Sequence, residues 1–190
     1  MLVDEVQDLT PATIKLLLKI TEQNVYFAGD TAQTIARGVG FRFCDLKGML
    51  NMTDFEAPKV LQLTVNFRSH NRILTLANSI ITAIELFFPL TIDKLHKEKS
   101  NLDGLKPIIL DSNLLDSLFY VLMGKNNNSS ASKSIDKSDF GCDQVIIVRD
   151  QESKKRVPSV LQHALCLTVY ECKGLEFEDV ILYNFFNDAP

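Results

Sequence analysis

Leu2-Val3 runs directly into Asp4-Glu5-Val6-Gln7-Asp8. A short apolar run ending on an Asp-Glu pair is how a buried parallel strand delivers carboxylates to a nucleotide-bound metal ion. Central strands ordinarily have about five or six residues. With two apolar residues ahead of the acids, the expectation is that the strand starts upstream of Met1 and that the chain is an internal piece of a larger fold. On that expectation Leu2, Val3, Tyr26 and Phe27 face water, and residues 1–58 are less protected than a helix over Asn71 to Phe88. Taken alone, the acidic residues are explained equally well as a solvated loop ahead of a helix N-terminus.

The 190 residues are 46% hydrophobic and 23% charged, enough for one medium domain or two small lobes. The net charge of −4 gives no bulk basic surplus of the kind strong nucleic-acid binders show, although a local basic stripe is compatible with it. Cys44, Cys142, Cys166 and Cys172 have no CxxC spacing and read as reduced thiols. No apolar run is long enough to span a bilayer, and with Asp4 and Glu5 so near Met1 no signal peptide is expected there. The expected location is intracellular, nuclear or cytoplasmic.

Strand and helix signals alternate along the chain. Thr10-Pro11 predicts a capped helix with Ile14, Leu17, Leu18 and Thr21 on one face. Val25 to Ala28 predicts a strand, followed by an irregular turn at Gly38 and Gly40. Ser69 is the expected cap of a long helix carrying Ile73, Leu76, Ala77, Ile80, Ile81, Ile84 and Phe88, stopped by Pro89. Pro107 to Leu110, Val145 to Val148, Leu165 to Val169 and Val180 to Phe185 read as strands, and Leu114 to Met123 as a helix. Lys125 to Asp139, rich in Asn, Ser and Lys, reads as a mobile loop. The alternation predicts an α/β fold with a largely parallel sheet and a boundary near Pro58.

Four segments carry chemistry. Asp4 to Asp8 offers a metal ligand and a water-polarising carboxylate. Gly29-Asp30-Thr31-Ala32-Gln33-Thr34-Ile35 follows a strand, and Gln33 can hydrogen-bond a terminal phosphate. Asn66-Phe67-Arg68-Ser69 precedes a helix, and the Arg68 fork suits phosphate oxygens. In Thr168 to Phe177, Lys173-Gly174 permits a tight turn and Glu176 can accept from a ribose hydroxyl. Each alone is also explained by an ordinary turn, surface arginine or charged loop.

In this order, the four closely resemble the motifs of UvrD/Rep-type superfamily 1 helicases: DExQD (Walker B), GDxxQxI, NFRS and KGLEF. The wording of Ala36 to Phe43 looks most like the UvrD-like segment of large TPR-and-ankyrin-repeat proteins. The resemblance implies a RecA-like, P-loop NTPase-type α/β fold with a parallel sheet and flanking helices. Residues 1–58 would end the first lobe, and 59–190 would form most of the second. It implies ATP and Mg²⁺, with Asp4 on the metal, Glu5 as general base and Gln33 coupling the γ-phosphate to lobe movement. Arg68 would be an arginine finger in cis and Glu176 would touch the ribose. Thr168 would touch a single strand's backbone, DNA in preference to RNA.

Departures accompany the matches. No GxxxxGK[ST] occurs in the 190 residues, and the family places that loop upstream of Asp4. The piece alone is therefore expected to be inactive, with the upstream Walker A segment of its own lobe as its missing partner. Ala36 stands where the family carries an aromatic, so base stacking falls to Phe41 or Phe43. Tyr170 replaces the usual histidine, and the large insertion of bacterial members ahead of KGLEF is absent. The alternative reading is a degenerate helicase fold kept as a non-enzymatic protein-interaction scaffold.

Overall fold

A computed structural model describes residues 1–21, 24–36, 38–53, 58–110, 144–161 and 164–186. The chain divides into two compact units, Met1–Ile108 and Ile109–Pro190. Both are mixed α/β with parallel strand pairing.

In the first unit β1 (Leu2–Val3) pairs in parallel with β2 (Tyr26–Phe27). Backbone bonds from Ala28 N–H to the Val3 carbonyl (2.8 Å) and from Val6 N–H to the Ala28 carbonyl (3.0 Å) extend the pairing toward the acids. The crossover is α1 (Pro11–Ile20). Thr10 caps it by accepting the Thr13 N–H (3.2 Å), and Pro11 opens it, where a missing N–H costs nothing. Ile14 and Leu18 turn inward and join Val3, Val6 and Phe41 in a core completed by Leu46 and Leu50 of α2 (Phe43–Asn51).

That core corrects the expectation of an unsupported first strand. Leu2 and Tyr26 do face water, but Val3 is buried and Phe27 half-buried, because side chains alternate across a strand and α1 covers the inner face. The long helix, α3 (Asn71–Phe87), is where expected, yet Leu74 is its one buried residue among those described. Ile73, Leu76 and Ile80 are 43%, 50% and 52% exposed. The N-cap of α3 is His70 rather than Ser69, and it makes no side-chain cap bond. Residues 107–110 are not a strand. Ladder bonding makes a strand, and this apolar run finds no partner among the described residues; Ile109 is 97% exposed.

In the second unit β3 (Gln144–Val148) lies between β4 (Cys166–Thr168) and β5 (Asp179–Leu182), all parallel. Ile146 and Val148 pack on Val157, Leu161 and Ala164. Two short helices, α4 (Gln151–Lys155) and α5 (Val169–Cys172), follow β3 and β4. The helix expected over Leu114 to Met123 and the loop expected over Lys125 to Asp139 lie outside the described residues. No helix of the described residues is long and apolar enough to cross a membrane.

Candidate functional site

Asp4 and Glu5 emerge at the C-terminal end of β1, where open parallel sheets place ligands. Both are exposed. Asp4 Oδ1 accepts the Glu5 N–H at 2.9 Å, and Glu5 Oε2 accepts from Gln7 Nε2. Glu5 sits in the left-handed region (φ 53°, ψ 38°). For a residue with a Cβ this stores about 1–2 kcal/mol, a cost that concentrates at functional sites. Mg²⁺ is commonly held by one or two carboxylates plus phosphate oxygens and water, so an exposed Asp4 at a strand end fits it.

Gln7 and Asp8 join this turn to the Gly29–Ile35 loop. Gln7 is fully buried, and its Oε1 accepts the Asp30 N–H at 3.1 Å. Asp8 Oδ1 accepts from the N–H groups of Ile35 (3.3 Å) and Ala36 (3.4 Å). Asp30 caps a single 3₁₀ turn, Thr31–Gln33, by accepting the Ala32 N–H (2.9 Å), and its Oδ2 accepts from Gln33 Nε2 (2.9 Å). The two loops therefore form one hydrogen-bonded body carrying Asp4, Glu5 and Gln33. Sequence reasoning singled out those three and missed the joining roles of Gln7 and Asp8. The signal was their presence in the motif, but their partners lie 23 to 28 residues away.

Gly29 is required by this lacing. A Cβ there would lie 2.4 Å from Gln7 Oε1 and 2.9 Å from Val6 Cγ1. Gln7 cannot swing aside without leaving the Asp30 N–H unpaired. Gly29→Ala is expected to destabilise the chain by about 2 kcal/mol, and by clearly less when Gln7 is also alanine. Urea midpoints of the four variants check it; an unchanged midpoint for Gly29→Ala contradicts the lacing.

Arg68 stands on a separate, exposed loop that Asn66 organises. Asn66 Oδ1 accepts the N–H groups of Arg68 (2.9 Å) and Ser69 (2.8 Å), and its Nδ2 donates to Glu98 Oε2 (2.8 Å). Phe41 and Phe43 do not stand open as a stacking platform. Phe41 is 5% exposed in the core, and Phe43 meets its ring edge-on at 5.3 Å.

In the second unit Thr168 is buried and caps α5. Its Oγ1 accepts the Glu171 N–H (3.3 Å), while its own N–H donates to Glu171 Oε2 (2.8 Å), a reciprocal capping box. The hydroxyl oxygen is thus engaged within the fold. Gly174 has φ 81°, in the left-handed region, at the tight turn that Lys173-Gly174 permits, and Glu176 is exposed beyond it.

Two carboxylates here are strongly acidic. Glu171 is lowered to about 2 by the Thr168 N–H first, then by Lys154 and Gln151; Lys154 Nζ lies 2.9 Å away. Asp150 is lowered to about 2 by the Ser153 N–H first, then the Ser153 hydroxyl and Arg149. Folded values below the unfolded ones, about 4 for both, mean stability that is present above pH 4 and lost as pH falls toward 2. Unfolding midpoints measured from pH 6 to pH 2 should drop in that window, and the drop should shrink in Glu171→Gln. An identical drop in that variant would exclude Glu171 as a source.

No protein-family model matches the chain. Across 98% of its length it is 40% identical to TPR and ankyrin repeat-containing protein 1 of Homo sapiens, of which it covers 7%. It is 33% identical, over 86% of its length, to ATP-dependent DNA helicase srs2 of Schizosaccharomyces pombe, covering 17% of that protein. Over 77% of its length it is 28% identical to ATP-dependent DNA helicase Rep of Buchnera aphidicola, covering 20%. Its homologues include UvrD/Rep/Srs2-type DNA helicases. The chain spans well under half the length of each of these helicase relatives.

Proposed function

We propose that the chain is the end of the first RecA-like lobe and much of the second lobe of a UvrD-like ATPase. Such a protein moves on single-stranded nucleic acid, DNA in preference to RNA. The observation that carries this reading is the hydrogen-bonded body uniting Asp4, Glu5 and Gln33 at the end of a parallel strand pair. Asp4 would hold Mg²⁺, which would supply charge stabilisation to the phosphates. Glu5, pinned by Gln7, accepts a proton from the water that attacks the γ-phosphate. Gln33 feels that phosphate. Arg68, on the loop ordered by Asn66, supplies charge to the transferring group, and Glu176 accepts from the ribose. Phe43 is better placed than Phe41 to reach a base, since Phe41 would have to leave the core.

The 190 residues carry no Walker A sequence, and phosphoryl transfer depends on positioning from the whole nucleotide pocket. Phosphate release by the chain alone, with and without single-stranded DNA, is expected to stay at background. Turnover of about 1 s⁻¹, abolished by Glu5→Gln, would overturn the expectation of inactivity. The scaffold reading draws on the net charge of −4 and on the burial of Phe41. It does not account for Asp4, Glu5, Gln33 and Arg68 occurring together.

A further inference from the structure

Asp93 belongs to none of the four motifs, yet it touches two separate segments of the first unit, the Thr31 turn and the Arg42-Phe43 start of α2. Its N–H donates to Thr31 Oγ1 at 2.8 Å, and Thr31 is buried within the 3₁₀ turn that ends on Gln33. Its Oδ2 accepts the N–H of Phe43, the first residue of α2, at 3.0 Å. Its Oδ1 lies 3.5 Å from Arg42 Nε, and Arg42 Nη1 also donates to the Leu90 carbonyl. The N-cap residue of α2, Arg42, offers no side-chain cap. The cap comes instead from a carboxylate 50 residues on, which also places a negative charge at the positive end of the helix. Arg42 and Asp93 are 26% and 18% exposed, so their attraction is only partly screened.

We propose that Asp93 is a positioning residue: a latch that ties the Gln33 loop and the N-terminus of α2 to the segment following α3. This rests on the reading that Gln33 senses phosphate. Thr31 and Gln33 share one short turn. A displacement of Gln33 by phosphate therefore strains the bond from Asp93 to a buried hydroxyl, which has no water to replace it. Loss of that bond loosens Asp93 and uncaps α2, the helix that begins at Phe43. Sequence alone could not show this, because the contacting residues are 50 to 62 positions apart.

Site-resolved amide exchange on the 190-residue chain tests the latch. Thr31→Val keeps the shape of the side chain and removes the hydroxyl that Asp93 N–H uses. It is expected to speed exchange at the Phe43 amide about tenfold, the scale of coupling between groups in one network, although Thr31 makes no direct bond to that amide. Asp93→Asn, which keeps an acceptor oxygen, should disturb Phe43 less than Asp93→Ala. Arg42→Ala added to Asp93→Ala should add little further. The Leu18 amide in α1 is the control. The proposal is overturned if Thr31→Val leaves Phe43 unchanged, if it accelerates Phe43 and Leu18 equally, or if the Arg42 and Asp93 effects multiply. None of these outcomes depends on ATP hydrolysis, so an intact linkage in a protein that proves to be no ATPase separates failure of the functional reading from failure of the latch.

Discussion

Arg68→Ala is expected to lower kcat about a thousandfold or more while ATP affinity changes little, in a polypeptide joining these residues to a Walker A-bearing first-lobe segment. An arginine finger acts on charge that develops as the phosphoryl group transfers, so its loss appears in the chemical step rather than in ground-state binding. The loop geometry suits the task. Asn66 accepts both the Arg68 and Ser69 amides, which fixes the backbone from which the guanidinium reaches. Lysine should rescue poorly, because it lacks the bidentate fork. Arg72 is the control. It is the second residue of α3, is 49% exposed and pairs with Asp103 at 3.6 Å. An equal loss of turnover in Arg72→Ala would show that the finger has been assigned to the wrong residue.

Glu5→Gln in the same polypeptide is expected to lower turnover by about 10²–10⁴-fold, the range for removing a general base. Glutamine keeps the length of the side chain and an oxygen that can accept from Gln7 Nε2. It cannot take a proton from water. Folding should therefore be preserved, with the unfolding free energy from urea titration within about 0.5 kcal/mol of the parent. Turnover that survives Glu5→Gln would move the base elsewhere; Asp4 would be the next residue to test.

The motifs were legible in the sequence because each is a local string at the end of a strand or helix. What they do to one another was not. Gln7 reads as a polar residue in an acidic loop until its Oε1 is found 3.1 Å from the Asp30 N–H. Helix α3 was legible to within a residue at its C-terminal end, since a long 3.6-residue period met Pro89. Helix α2 was missed, because its N-terminal cap is Asp93, far along the chain, and no local signal announces it. The stacking role expected of Phe41 met the burial of that ring in the core. A Phe following Gly40 carries the same sequence signal whether it faces a base or Leu46. The apolar run at 107–110 fails as a strand for a related reason: pairing, not hydrophobicity, makes a ladder. The described residues leave Leu114 to Met123 untested.

ATP hydrolysis by the joined polypeptide, measured with and without single-stranded DNA, tests the central claim most directly. The claim is that Asp4, Glu5 and Gln33 form one pole of a nucleic-acid-driven ATPase. The predicted result is turnover on the order of 1 s⁻¹ or faster that rises when single-stranded DNA is added. A folded polypeptide that binds ATP·Mg²⁺ yet hydrolyses it no faster with DNA than without would contradict the account.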